Sequence, residues 1–211
     1  MKPKRSFNHW TPRYIKNRFA EICYLALHPD MPWLTPDANK ILSLWLKKTD
    51  VGFEYGSGRS TLWFAKRVRH LISVEHNLFW FKKINKFLSE KNIDNVAYYY
   101  HPVVDTVSAK DRDYVNRIGI IKNESMDFVL IDGICRDFCA RKAIDAVRPG
   151  GLLIIDDAHL YLPCKSFSPF SRGMMQGAAS EVWEEVYRII SQWRCIWTSS
   201  GVKDTAFFIK P

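Results

Sequence analysis

The stretch VGFEYGSGRST, residues 51–61, decides the fold. Alternating apolar residues from Val51 to Tyr55 predict a short β-strand. Gly56-Ser57-Gly58 then forms a turn, and a helix is predicted over residues 60–69. Glycines suit such a turn because they accept positive φ and because the missing Cβ lets a ligand lie on the backbone. The stretch therefore indicates a small-molecule cradle at the carboxyl end of a first strand, although an ordinary strand-turn-helix connection has the same pattern.

Three further predicted strands end in acidic residues. Strand 71–75 ends in Glu75, about twenty residues after the glycine turn, where nucleoside-binding folds place an acid that accepts hydrogen bonds from two ribose hydroxyls. Strand 128–131 runs into Asp132-Gly133, and strand 150–155 runs into Asp156-Asp157. Because parallel strands end at the same edge of a sheet, we expect these acids to lie along the edge that carries the glycine turn.

In this order the motifs resemble those of the class I S-adenosylmethionine (SAM)-dependent methyltransferases, over roughly residues 50–210. The matching residues are Glu54, Gly56 and Gly58 in the first motif, Glu75 as the ribose acid, Asp132-Gly133 after the fourth strand, Arg148-Pro149-Gly150-Gly151 before the fifth and Asp156-Asp157 after it. The resemblance implies an α/β fold with a doubly wound, mostly parallel seven-stranded sheet and an antiparallel last strand. A Rossmann dehydrogenase is the nearest rival, but its third glycine would fall at Thr61, and here an acid precedes the glycines.

The resemblance implies SAM as the cofactor. The cofactor-binding residues that it predicts are Glu54, Gly56, Ser57, Gly58, Ser60, Thr61, Glu75, His101 and Asp132. The adenine-binding segment is expected where the third strand ends, with His101, Val103 and Asp105 as its candidates.

Asp132, Asp156 and Asp157 form a candidate metal site, since all three follow adjacent strand ends. Carboxylate oxygens suit Mg²⁺ or a similar divalent cation, which would hold two substrate hydroxyl oxygens and lower the pKa of the attacking one. In this respect the sequence resembles the metal-dependent O-methyltransferases that act on catechols or sugars. The alternative stays open, because many metal-free members also carry an acid after the fourth strand and an aspartate can simply cap a turn.

The catalytic candidates are His159, Asp132 and Asp157. Catechol-type enzymes have a lysine as the base three residues after the first aspartate, a position that Cys135 occupies here. His159 titrates near neutral pH when unperturbed, but a loop histidine that only bonds the backbone fits the pattern equally well. Arg136 and Asp137 either orient a substrate or simply form the first turn of their helix, where Asp is favourable.

The composition indicates one globular domain, with 47% hydrophobic residues in 211. We expect a basic arm and two helices over residues 1–49 as an extension of the methyltransferase domain at residues 50–211. No run approaches the roughly 20 apolar residues of a membrane span, and the start lacks the apolar core of a signal peptide. The five cysteines show no C-x-x-C spacing. These features predict a soluble, cytoplasmic protein with reduced thiols.

Four smaller expectations concern local structure. Ile15, Phe19 and Ile22 recur at helical spacing, which predicts an amphipathic helix over residues 12–28, and Thr35 with Pro36 predicts the start of a second helix. The charged run 110–114 is typical of a solvated turn or a short helix, which would form a mobile flap. The long segment 158–177 is expected to form the substrate-side wall.

The net charge of +9 suits an anionic partner such as nucleic acid, but it suits a solvated surface equally. Vicinal hydroxyls on a sugar or glycan are the first expected methyl acceptor, and a small aromatic diol is the second. RNA is third, because the sequence contains no N-P-P-Y motif of amino methylation. A non-catalytic cofactor-binding protein is a separate alternative. The sequence does not predict an oligomeric state.

Overall fold

The computed structural model describes residues 10–104 and 106–211. Its strands are β1 Val51–Tyr55, β2 His70–Glu75, β3 Val96–Tyr100, β4 Met126–Ile131, β5 Val147–Asp156, β6 Arg194–Ser199 and β7 Asp204–Ile209. Its helices are α1 Pro12–Leu27, α2 Pro36–Trp45, α3 Arg59–Ala65, α4 Leu78–Glu90, α5 Asp113–Asn116, α6 Arg136–Ala146 and α7 Glu181–Ile190. The arm over residues 1–9 and the adenine candidate Asp105 lie outside the described residues.

All seven strands form one sheet in the order β3-β2-β1-β4-β5-β7-β6. Strands β1 to β5 pair in parallel, whereas β7 runs antiparallel to both β5 and β6. This confirms the doubly wound, mostly parallel sheet with an antiparallel last strand. The strand order reverses between β1 and β4, and open α/β sheets bind ligands outside such a reversal. Tyr55 pairs with Val74 on one side and Ile131 on the other, so the segments after β1, β2 and β4 emerge side by side.

Helices cover both faces of the sheet. On one face, Leu42 of α2 and Phe64 of α3 are fully buried with Phe128 and Leu152 of the sheet. On the other face, residues of α5, α6 and α7 pack against Phe53 of β1. They also pack with the sheet residues Val129, Ile131, Leu153 and Ile155. Strands buried on both faces read as the continuous apolar runs seen in the sequence.

Side-chain caps begin several of the helices. Thr35 accepts a hydrogen bond from the Ala38 N–H at 3.3 Å and Pro36 follows it, which confirms the predicted start of α2. Asn77 caps α4 and Ser180 caps α7 in the same way. Among the described residues, no helix is both long and apolar enough to cross a membrane.

Helix α1 forms where expected, but its apolar stripe faces outward. Ile15, Phe19 and Ile22 are 51%, 69% and 53% exposed. The buried residue of the helix is instead Glu21, which pairs with Arg18. Helical periodicity therefore identified the element without identifying the face that packs on the protein.

The segment 106–121 is more ordered than its sequence indicates. Tyr114 and Val115 of α5 are fully buried, and the Tyr55 hydroxyl donates to the Val115 carbonyl at 2.7 Å. The Tyr55 and Tyr114 rings lie 5.5 Å apart. The short-helix alternative is therefore confirmed by α5, whereas the solvated turn is wrong at Tyr114, because its ring adds to the core on that face of the sheet.

Candidate functional site

The two glycines of the turn after β1 have different structural roles. Gly56 has φ +89°, and a Cβ there would lie 2.8 Å from the Gly133 Cα and 2.9 Å from the Asp132 carbonyl. The segments after β1 and β4 thus touch at Gly56, and only glycine fits there. A Cβ on Gly58 would meet no atom within 4 Å. The fold does not require glycine at position 58, and the space beside it is open to a ligand.

The Glu75 carboxylate faces this turn from the end of β2. One oxygen accepts the backbone N–H and the hydroxyl of Ser57 at 2.9 and 2.8 Å, and the other accepts the N–H groups of His76 and Asn77 at 2.8 and 2.7 Å. Burial acts to raise the pKa of Glu75, but the His76 side chain, whose Nδ1 lies 3.1 Å from Oε1, and the donors named above outweigh it and lower the pKa below its usual value. The carboxylate is therefore ionised at neutral pH and oriented by the turn.

Glu54 of β1 stabilises the turn from inside the protein. It is fully buried, and its Oε2 accepts hydrogen bonds from the hydroxyls of Thr61 at 2.6 Å and Ser73 at 2.8 Å. The Gly58 N–H donates in turn to the Thr61 hydroxyl at 3.0 Å. Burial is the main reason that the pKa of Glu54 rises from 4.5 to about 7. Glu54 and Thr61 thus hold the turn in shape, and Ser60 is buried beside them at the start of α3.

His101 follows β3, the strand next to Glu75. Its N–H donates to the Glu75 carbonyl at 2.9 Å, and its ring stacks on Tyr99 with centroids 6.4 Å apart. Burial, and then the nearby Arg117, lower the pKa of His101, so the ring is neutral at physiological pH. Its backbone lies at the cradle edge, and its predicted contact with adenine stays a prediction.

The three aspartates after β4 and β5 lie together, as expected, but two cations lie among them. Asp156 is 1% exposed and accepts hydrogen bonds from the Thr205 hydroxyl at 2.7 Å and the Lys203 ammonium at 3.0 Å. Arg136 bonds the Asp132 carboxylate at 2.9 Å and lies 3.7 Å from that of Asp157. Arg136 also donates to the carbonyls of Gly133 and Asp156.

These contacts do not fit the divalent cation that the spacing predicted. Among the described residues, no group of three or more His, Cys, Asp or Glu side chains is placed to hold a metal ion. A carboxylate that ligates a metal directs its oxygens at the ion, whereas here Lys203 and Arg136 take the carboxylate oxygens. The ammonium and guanidinium groups supply the positive charge that the acids need.

Burial and mutual repulsion within the acid cluster shift the pKa values of Asp132 and Asp157. Burial, and then the neighbouring Asp156, raise the pKa of Asp132 to about 8, with Arg136 and Lys203 opposing the rise. The same two causes raise the pKa of Asp157, whose backbone has the left-handed φ of +53° that non-glycine residues seldom adopt. The Asp132 and Asp157 side chains are 28% and 30% exposed, so they form the accessible part of the cluster.

His159 lies below the surface of this site. It is 3% exposed, and its Nδ1 has no hydrogen-bond partner among the described residues. Burial lowers the pKa of His159, which keeps the imidazole neutral. His159 is close in sequence to Asp156 and Asp157, but its ring is buried in the structure. Its catalytic role stays a prediction.

The sequence did not identify Lys203. It lies in the turn between β6 and β7, far along the chain from the acids, and no motif marks it. Arg136 was a weak candidate, although its spacing of four residues from Asp132 on the opening turn of α6 is a recognisable signal. Asp137, the other substrate-orienting candidate, accepts hydrogen bonds from the Phe138 N–H and the Ser180 hydroxyl, which joins α6 to α7.

A scan with family models and a search of curated proteins found no match to this sequence. Solved structures do share its fold. A methyltransferase-like protein from Silicibacter pomeroyi superposes with a TM-score of 0.56 at 19% identity, over 84% of this chain and 88% of that one. A methyltransferase candidate from Streptococcus mutans, crystallised with S-adenosylhomocysteine (SAH), gives 0.54 at 14% identity, over 82% and 94%. An rRNA methylase from Streptococcus thermophilus gives 0.53 at 12% identity, over 81% and 92%. The chain therefore has the Rossmann-like fold of these methyltransferase structures.

Proposed function

We propose that the chain is a SAM-dependent methyltransferase. The observation that carries the proposal is the cradle after β1, where Gly58 borders open space and the neighbouring Ser57 bonds the ionised Glu75 carboxylate. A nucleoside needs both features, since a backbone without a Cβ admits its bulk and a carboxylate accepts its ribose hydroxyls. The fold shared with methyltransferase structures, one of them in complex with SAH, supports the same reading.

Bound SAM supplies a methyl group on a positively charged sulfur. In this chain, the backbone of Gly56, Ser57 and Gly58 would hold the cofactor, with Glu75 on its ribose. Both oxygens of Glu75 already accept two hydrogen bonds each, so the ribose must replace a donor. The Ser57 hydroxyl is the donor best able to leave, because it also lies 2.6 Å from the Tyr98 hydroxyl.

The acceptor that suits the site best is a hydroxyl group on a sugar, a glycan or a small diol. Methyl transfer to a hydroxyl requires a group that takes the proton, and a general base works best when its pKa lies near the working pH. Asp132 meets this condition with its pKa of about 8 and its partly exposed side chain. Arg136 holds the other side of the Asp132 carboxylate and so fixes its direction.

The test is transfer of the labelled methyl group of SAM to a panel of sugars, glycans and diols. The assay is run with Mg²⁺ and with EDTA. We expect product in both conditions, and Asp132→Asn should lower kcat by 100-fold or more, the usual contribution of a general base. Asp145→Asn is the matched control, because Asp145 is an exposed acid on the far end of α6. Equal rates in the two variants would refute the role of Asp132.

RNA methylation is the second candidate. The net charge of +9 and the fold similarity to an rRNA methylase favour it. A phosphate backbone bound by basic residues makes affinity fall steeply with salt. RNA methylation would be selected if methylated RNA forms at 50 mM salt but not at 200 mM salt, and if no sugar is methylated. SAH binding without transfer to any acceptor would indicate a non-catalytic cofactor-binding protein.

A further inference from the structure

A cavity opens at the same edge of the sheet, beyond the acid cluster. Its volume is about 660 Å³, which suits a ligand of small-molecule size. It lies between α1, the segment 163–167 and the turn after β6. Asp156 pairs with Thr205, and Thr205 pairs with Thr198, so the end of β6 lies two strands away from the acid cluster along this edge. Its lining includes Arg13, Lys165, Phe167, Trp197 and Ser200.

The charge of the lining is positive. Arg13 and Lys165 line the cavity, and none of its lining residues is acidic. Neither cation forms an ion pair with a carboxylate in the described parts of the chain, residues 10–104 and 106–211. The Arg13 guanidinium lies over the Phe167 ring, 4.4 Å from its centroid, which holds it at the cavity without using its charge on an anion. Two cations without a carboxylate partner favour an anionic ligand.

The remaining walls are hydroxyl groups and aromatic rings. Three serines, at positions 166, 199 and 200, line the cavity beside Trp197 and Phe167. The Trp197 indole is oriented by its N–H, which donates to the buried Asp204 carboxylate at 2.8 Å. A second hydrogen bond, from the Ser168 hydroxyl, reaches the same carboxylate at 2.6 Å, so both Asp204 oxygens are hydrogen-bonded behind the wall. Rings and hydroxyls of this kind suit the apolar face and the polar rim of a sugar.

The cavity is joined to the acid cluster through one short turn. The Ser200 N–H donates to the Lys203 carbonyl at 3.0 Å, and the Ser200 hydroxyl accepts the N–H of Lys203 at 3.2 Å. Lys203 then bonds Asp156. The cavity and the acid cluster therefore share the turn between β6 and β7, with Ser200 on the cavity side and Lys203 on the acid side.

We propose that this cavity binds the anionic group of the methyl acceptor, so that the acceptor is a sugar or glycan carrying a phosphate or carboxylate group. The assignment of this ligand as the acceptor rests on the proposed methyltransferase function. The binding of an anionic sugar in the cavity does not, because it follows from Arg13, Lys165 and the aromatic walls alone.

Calorimetric titration of the full chain with glucose 6-phosphate, glucuronate, inorganic phosphate and glucose tests the proposal. We expect one of the two anionic sugars to bind at least 10-fold more tightly than glucose, and the preferred one identifies the anionic group. Arg13→Gln and Lys165→Gln should each lower the affinity for that sugar about 10-fold, the usual effect of losing a charge-assisted hydrogen bond. Lys86→Gln, which removes an exposed cation on α4, is the control for net charge and should leave the affinity unchanged.

SAH is titrated in parallel to keep the two proposals apart. Unchanged SAH affinity in Arg13→Gln and Lys165→Gln, with loss of the anionic sugar, supports the cavity proposal. If the sugar binds and SAH does not, the methyltransferase proposal fails while the cavity proposal stands. The cavity proposal would be overturned if glucose binds as tightly as the anionic sugars or if none of these ligands binds. It would also be overturned if Lys86→Gln loses as much affinity for the anionic sugar as the two cavity variants.

Discussion

Lys203→Met is the perturbation that tests most sharply whether fixed cations neutralise the acid cluster. The Lys203 ammonium lies 3.0 Å from Asp156, whose side chain is 2% exposed, while Lys203 itself is 20% exposed. Removing one partner of a buried pair costs about 3 to 5 kcal/mol. Because Lys203 retains some contact with water, we expect the lower end, a loss of about 3 kcal/mol in the free energy of unfolding at pH 8.

The pH dependence separates this loss from a simple packing defect. Lys203 opposes the raised pKa values of Asp132 and Asp157, so its removal raises both pKa values further. As the pH falls, Asp132 and Asp157 take up protons and repel Asp156 less, so the loss in stability should be smaller at pH 5 than at pH 8.

Urea unfolding of wild type and Lys203→Met at pH 5 to 8 measures the effect. Lys210→Met is the matched control, since Lys210 is also on the β7 side of the sheet but bonds backbone carbonyls and the exposed Glu124. Its loss in stability should stay constant over this pH range. A loss for Lys203→Met below about 1 kcal/mol at pH 8, or one that does not change with pH, would refute the charge compensation.

Four further outcomes follow from the site. Gly58→Ala should leave the free energy of unfolding within about 0.5 kcal/mol of wild type and weaken SAH at least 10-fold by calorimetry, because its Cβ enters open space in the cradle. Gly56→Ala should instead cost about 2 kcal/mol or more in urea unfolding, because its φ is +89°. Glu54 has its pKa raised from 4.5 to about 7, so it destabilises the fold as the pH rises through this interval, by about 3 kcal/mol in total. Glu54→Gln should abolish that trend and be the more stable protein at pH 8, and lower stability there would contradict the burial argument. With Asp132 as the base, kcat/KM should rise with pH and level off above about 8, and a rate that is flat between pH 6 and 9 would exclude it.

Much of the fold was predictable because its signals are local. The glycine turn, the acids at strand ends and the Thr35-Pro36 helix start each depend on a few adjacent residues. Backbone geometry demands those residue types in those places, and the structure confirms the sheet that they indicated. The glycine turn and the position of Glu75 beside it were therefore identifiable from the sequence, and their role in binding a cofactor stays a prediction.

The parts that the sequence did not predict depend on distant contacts. The charge state of the acid cluster is set by Lys203, which reaches Asp156 only because β7 pairs antiparallel with β5. A count of acids at strand ends cannot include a cation from a later hairpin, which is why the spacing suggested a metal. Likewise, helical periodicity in α1 cannot tell whether Phe19 faces the sheet or water, and the charges around Tyr114 concealed a core residue.

Calorimetric titration of the protein with SAH, with NAD as the competing nucleotide, tests the central claim most directly. We expect SAH binding that EDTA does not change, no comparable binding of NAD, and at least 10-fold weaker SAH binding in Glu75→Gln, because the ribose loses a charged acceptor. Preference for NAD, absence of SAH binding, or unchanged SAH affinity in Glu75→Gln would contradict the assignment of the cradle as a SAM site.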